Sequence, residues 1–190
     1  MNEVIKFIES RRSCHRFRTD PVPDEYVRAV AEAGLYAPSA MNRRPCRVIV
    51  INSPEARDRI ARLNAGIMGR DEKFDPFYGA PIILLVVADV SVPTRVYDGS
   101  LVLSNMLLAA HSLGLGACWI HRAKEEIESG ELDSLLSTLS LDGGWEGIGH
   151  CALGWSAEDV KPVRPIDKSH ILYLSKEAIG NFSTSPSQAK

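Results

Sequence analysis

The chain has 190 residues, 45% of them hydrophobic and 24% charged, with a formal net charge of −2. That length suits one domain with a sizeable core, and the slight acidity argues against a broad nucleic-acid footprint. No apolar run reaches the roughly 18 residues of a membrane span, so neither a nucleic-acid nor a membrane partner is expected. The start, Met1-Asn2-Glu3, lacks the basic-then-apolar build of a signal peptide. Cys14, Cys46, Cys118 and Cys151 show no Cys-x-x-Cys spacing, which fits a reduced, cytoplasmic protein with free thiols. The five histidines show no His-x-x-x-His pair, so no metal site is expected.

Val4, Ile5 and Ile8 recur at helical spacing and predict a helix over about 2–12. It closes on Arg11-Arg12-Ser13-Cys14-His15-Arg16-Phe17, a local basic cluster in an acidic chain. Arginine matches phosphate oxygens bidentately and Ser13 adds a neutral donor, so a small anion is one reading. A solvated helix end is the other. Pro23, Asp24 and Glu25 open a second helix, which ends near Gly34. Tyr36 to Pro45 holds two prolines and small polar residues and reads as a structured loop. Its Ser39 and Asn42 can bond a planar polar ring or their own backbone.

Cys46 to Ile51 is a β-branched run and a predicted strand. Ser53-Pro54-Glu55 starts a helix running to about Asn64. Residues 66–78 lack periodicity and read as a mobile loop, with a lid as one role, or as an ordinary surface connection. Ala80 to Asp89 is an unbroken apolar strand, predicted to be buried on both faces. Asp98 is the predicted N-cap of a helix reaching Leu113. That helix is apolar almost all round, which suits a core or a subunit contact. Gly114-Leu115 fits its C-terminal cap. Gly116 to His121 is a strand leading into charged Arg122 to Glu126, Asp133 to Leu139 is a helix, and Gly147 to Trp155 is a glycine-rich strand suited to close approach. Lys161 to Pro165 is extended by its prolines. Residues 1–180 are read as one domain, and 181–190 as a flexible tail.

No Gly-x-x-x-x-Gly-Lys-Ser/Thr loop and no Gly-x-Ser-x-Gly elbow occurs. Gly114 and Gly116 follow a helix and precede a strand, the wrong order for a dinucleotide fingerprint. With no evident protein nucleophile, a pocket whose chemistry belongs to a bound cofactor fits the sequence.

Four segments, in order, resemble the flavin mononucleotide (FMN) dependent nitroreductase family. They are Arg11-Arg12-Ser13; Ala37-Pro38-Ser39-Ala40-Met41-Asn42; Gly79-Ala80-Pro81 with its strand, followed by Asp98 to Ile120; and Gly149 to Trp155 with Lys161 to Arg164. The resemblance implies an α+β fold, a mixed, mainly antiparallel sheet flanked by helices in an intertwined homodimer. It implies FMN at the interface, NAD(P)H as reductant and an electron-poor acceptor such as a nitroaromatic or quinone. By position, Arg11, Ser13, Lys161 and Arg164 are implied to hold phosphate and ribityl, with Arg12 in the same segment. His15 is implied near the pyrimidine edge, and Pro38, Ser39 and Asn42 at the partner's flavin. Backbone at Ile120, His121 and Arg122 is implied to face flavin N5. Reductive dehalogenation, enone reduction and non-catalytic flavin binding are alternatives on the same fold. Two departures stand out. Arg44-Pro45-Cys46 replaces the family's Gln-Pro-Trp, and His15 replaces a Lys or Arg.

Overall fold

The computed structural model describes residues 2–71, 73–159, 162–163 and 165–174. Ten elements follow in order: α1 (Glu3–Ser10), α2 (Asp24–Leu35), β1 (Cys46–Ile51), α3 (Pro54–Ile67), β2 (Ile82–Asp89), α4 (Arg95–Ser112), β3 (Gly116–Ile120), α5 (Ala123–Glu128), α6 (Asp133–Thr138) and β4 (Trp145–Gly154). The strands form one sheet in the order β1-β2-β4-β3, and each neighbouring pair is antiparallel. The α+β class and the antiparallel sheet are therefore as expected.

The unbroken apolar run of β2 is explained by a layer on each face. Side chains alternate across a strand. Ile83, Leu85 and Val87 enter one core, with Ile60, Phe77 and Leu136. Ile82, Leu84, Val86 and Ala88 enter the other, with Val30, Leu103 and Met106. Helices α2 and α4 cover the second face and meet closely at Gly34, where a Cβ would lie 2.6 Å from Met106 Cγ.

Caps largely follow the sequence. Ser53 Oγ accepts the Ala56 N–H at 3.1 Å, with Pro54 in the first position. Gly114, at φ 72°, and Leu115 close α4 on the carbonyls of His111 and Ala110. Helix α2 begins one residue after Pro23, which is its N-cap.

Three expectations are corrected. Asp98 is not an N-cap: α4 starts at Arg95 with Thr94 as its cap. Buried Asp98 instead accepts the Thr94 hydroxyl at 2.9 Å and the Ala40 N–H at 3.1 Å, tying α4 to the 36–45 loop. The second correction concerns 66–78. Fully buried Phe77 anchors this stretch, and Asp75 accepts the N–H groups of Phe77 and Gly79 while pairing with Arg57. Third, Arg122 to Glu126 is not merely a charged exit from β3, because residues 123–128 form α5.

Helix α1 buries none of its residues; Val4, Ile5 and Ile8 are 63%, 47% and 52% exposed. Leu101 on α4 is also exposed. Among the described residues, no helix is long and apolar enough to cross a membrane. The expected tail lies outside the described residues.

Candidate active site

The basic stretch leaves α1 in extended conformation and runs against the sheet. The Cys14 N–H donates to the Ala117 carbonyl at 3.0 Å, the Arg18 N–H to Trp155 at 2.9 Å, and Phe17 bridges Ser156. This fixes the arginines beside β3 and the end of β4. Arg11 and Arg12 then diverge, as successive side chains on extended backbone must.

Arg11 lines a cavity of about 490 Å³ between α1, α4 and β3, with Ile8, Ser104, Leu107 and Trp119. Its Nη1 is buried and has no hydrogen-bond partner. A buried, unpaired guanidinium nitrogen is costly unless an anion meets it. Arg12 Nη1 donates to the carbonyls of Glu9 at 2.7 Å and Arg11 at 2.6 Å, while its Nη2 is, like Arg11 Nη1, buried without a partner. Arg12 and Ser13 line a smaller cavity of about 220 Å³, where Glu158 and Asp159 oppose an anion. His111 borders it too. Burial, then the charges of Arg11 and Arg12, hold its pKa below the ordinary imidazole value.

His15 sits near this end. Its backbone N–H donates to Glu158 Oε1 at 2.6 Å and its ring meets Tyr78 edge-on, centroids 4.9 Å apart.

The loop carrying Pro38, Ser39 and Asn42 lies elsewhere, around Asp98, Cys46 and Val102. Ser39 Oγ accepts the Arg44 N–H at 3.0 Å and Asn42 Oδ1 accepts from Arg44 Nε at 2.9 Å. Ser39 thus bonds local backbone, as the turn reading has it, whereas Asn42 bonds the Arg44 side chain. Met41, Asn42 and Arg44 all have left-handed φ, at 53°, 55° and 47°. Such backbone is unfavourable for ordinary residues and is held here by Asp98.

The third group is the β3–α5 junction. Ile120 ends the strand, His121 is exposed, and its ring meets Trp119 edge-on at 5.7 Å. Arg122 adopts φ 85° and pairs with Glu125 at 2.9 Å. Gly147 lets this junction settle on β4, since a Cβ there would lie 2.0 Å from the Ala123 carbonyl oxygen. Gly149 does the same for Trp119, with 2.4 Å to its Nε1. Lys161 and Arg164 lie outside the described residues.

One protomer thus joins Arg11 to the β3–α5 junction through Trp119, and keeps Pro38, Ser39 and Asn42 apart from both. Sequence reasoning did not single out Trp119, nor the buried Asn64, Glu126 and His150 behind the junction. The signal for Trp119 was its place in a strand whose neighbour carries Gly149.

The four cysteines are buried and free. Burial, with Asp98 nearby, pushes the Cys46 thiol up to about 11, and burial beside Cys118 pushes Cys151 up to about 12. Thiols so shifted stay protonated and are poor nucleophiles.

The Nitroreductase family profile matches residues 8–155. A Methanothermobacter thermautotrophicus protein, provisionally named NADH dehydrogenase/NAD(P)H nitroreductase, is 34% identical over 122 residues, spanning 62% of this chain and 60% of that protein. The Bacillus subtilis FMN reductase [NAD(P)H] is 30% identical over 166 residues, spanning 74% of this chain and 64% of the enzyme. The chain thus spans less than two thirds of the length of these two relatives. Among solved structures, the FMN-bound nitroreductase of Bacteroides fragilis superposes with a TM-score of 0.81 at 26% identity, covering 92% of this chain and all of that one. That of Desulfitobacterium hafniense, also with FMN, gives 0.80 at 29% identity over the same shares. With its sheet, its Arg11 cavity and a profile match over most of its length, the chain belongs to the nitroreductase family.

Proposed function

We propose that this protein is an FMN-dependent oxidoreductase that passes a hydride from NAD(P)H to an electron-poor acceptor such as a nitroaromatic or a quinone. The observation that carries the reading is Arg11. Arg11 lines a cavity of about 490 Å³, within the size range of small-molecule sites, and its buried Nη1 has no partner within the protein. A flavin phosphate in that cavity would meet the guanidinium and relieve its unpaired charge. The names of the relatives, which mention FMN and NAD(P)H, support the same cofactors.

When bound, FMN supplies the hydride-accepting and hydride-donating centre. The chain's own residues bind and orient. Arg11 would hold the phosphate, a role the resemblance extends to Lys161 and Arg164, while Ser13 lines the neighbouring cavity and Arg12 braces the turn by bonding the Glu9 and Arg11 carbonyls. Backbone at Ile120, His121 and Arg122 would line the reacting edge, and His15 would lie toward the pyrimidine end. Leu107 and Trp119, which line the Arg11 cavity, would shield the bound ring from water.

Pro38, Ser39 and Asn42 complete the site of a partner subunit. Two observations support a homodimer: this loop and Arg11 line different cavities of the protomer, and α1 presents Val4, Ile5 and Ile8 uncovered. Four free, buried thiols are compatible with a cytoplasmic setting.

Titration of apoprotein with FMN and with riboflavin tests the reading. FMN binds stoichiometrically and more tightly; equal affinity for the two excludes a phosphate site. Light scattering of the FMN-loaded protein gives a dimer, and a loaded monomer at micromolar concentration refutes the shared site.

A further inference from the structure

Behind the β3–α5 junction, three buried polar side chains from three elements form one chain. Asn64 of α3 is 1% exposed, and Glu126 of α5 and His150 of β4 are fully buried. Asn64 Nδ2 donates to Glu126 Oε1 at 2.5 Å and to the His121 carbonyl at 2.9 Å. Glu126 Oε2 lies 2.9 Å from His150 Nε2. A carbonyl only accepts, so the Asn64 amide must turn its NH₂ toward His121. Its Oδ1 is left buried without a partner.

Such a chain is an expensive way to fill a core, because apolar residues of similar shape pack as well. What it adds is direction, and it ends on one backbone carbonyl. No peptide bond among the described residues is cis. In a trans peptide the C=O and the N–H point opposite ways. Drawing the His121 carbonyl inward onto Asn64 therefore turns the Arg122 N–H outward. The left-handed φ of Arg122 needs this kind of external restraint to persist. The junction adjoins the Arg11 cavity, since Trp119 lines that cavity and its ring meets the His121 ring.

We propose that Asn64, oriented by Glu126 and His150, is a positioning residue that aims the Arg122 backbone N–H at a hydrogen-bond acceptor on the edge of the bound FMN ring. This rests on the FMN reading above. Neither Glu126 nor His150 touches the cofactor; both act by holding Asn64.

The test uses FMN-loaded protein. In wild type, FMN binding shifts the Arg122 amide resonance and slows its hydrogen exchange. In Asn64→Asp, which keeps the shape but removes the donor, that response disappears. Affinity then falls about tenfold for FMN and riboflavin alike, because the phosphate end is untouched. The double variant Asn64→Asp/Glu126→Gln restores a donor–acceptor pair between the two side chains but gives nothing to His121. Its urea midpoint recovers toward wild type while the Arg122 response stays absent. Recovery of both, or an Asn64→Asp protein with wild-type affinity and response, overturns the proposal. If the variants do not fold, the wild-type measurement still decides: an Arg122 amide indifferent to bound FMN overturns it. Wild type that takes up no FMN instead refutes the functional reading, and so the two failures are distinct.

Discussion

Among the described glycines, Gly147 leaves the least room for a side chain, and Gly147→Ala is the sharpest test of how the β3–α5 junction is seated. A Cβ at this position lies 2.0 Å from the Ala123 carbonyl oxygen and 2.2 Å from its carbon. An ordinary carbon–oxygen contact is about 3.3 Å, so the junction must retreat by roughly 1.3 Å. The obstacle is backbone, which has no rotamer to yield. Strand β4 is held at this position by its pairing with β2, where Gly147 lies opposite Val87. Overpacking of this kind costs about 3 kcal/mol. With a urea m-value of about 2 kcal/mol/M, the midpoint falls by roughly 1.5 M. The moved atoms adjoin Arg122, so FMN affinity falls as well. Gly66→Ala is the control: nothing lies within 4 Å of its Cβ and it sits in α3. There the change is neutral or stabilising by up to about 1 kcal/mol. A Gly147→Ala protein within roughly 0.5 kcal/mol of wild type, still binding FMN normally, would refute the close seating of the junction.

Arg11→Ala removes a charge-assisted donor worth about 1.5–3 kcal/mol, so FMN affinity drops roughly tenfold to a hundredfold while riboflavin affinity changes little; equal losses for both contradict the phosphate role. His111 gives a pH test. Its ring stacks on Phe7 at 4.8 Å and its Nε2 lies 2.8 Å from Ser10 Oγ, with its folded pKa depressed by burial and by Arg11 and Arg12. The neutral ring's contribution is therefore complete above the unfolded value of about 6.5 and is lost as pH falls from there toward the folded value. The stability advantage of wild type over His111→Gln should hold steady above about pH 7.5 and narrow below about pH 6.5; an advantage that grows on acidification reverses the sign and refutes the assignment.

Local pattern carried most of the fold. The Ile82–Ala88 run announced a strand buried on both faces, and Ser53-Pro54 and Gly114-Leu115 marked helix ends that the structure repeats. The errors share a cause, which is side chains spent on distant partners. Asp98 has the residue type of an N-cap, but its oxygen meets Ala40, 58 positions away. Phe77 and Asp75 anchor the 66–78 stretch to α3, which no local window reveals. Helix α5 was hidden by its brevity and by Glu126, a carboxylate on its buried face. The site followed the same rule. Arg11 stood out within one contiguous basic stretch, whereas Asn64, Glu126 and His150 meet only after three elements have packed.

The central claim is that a bound flavin, not a protein nucleophile, does the chemistry. The visible spectrum of the purified protein, loaded with FMN and kept anaerobic, tests it most directly. NADH or NADPH should bleach the flavin absorbance, and a quinone or nitroaromatic should restore it. A colourless protein that takes up no FMN, or a yellow one that neither nicotinamide reduces, would contradict the account.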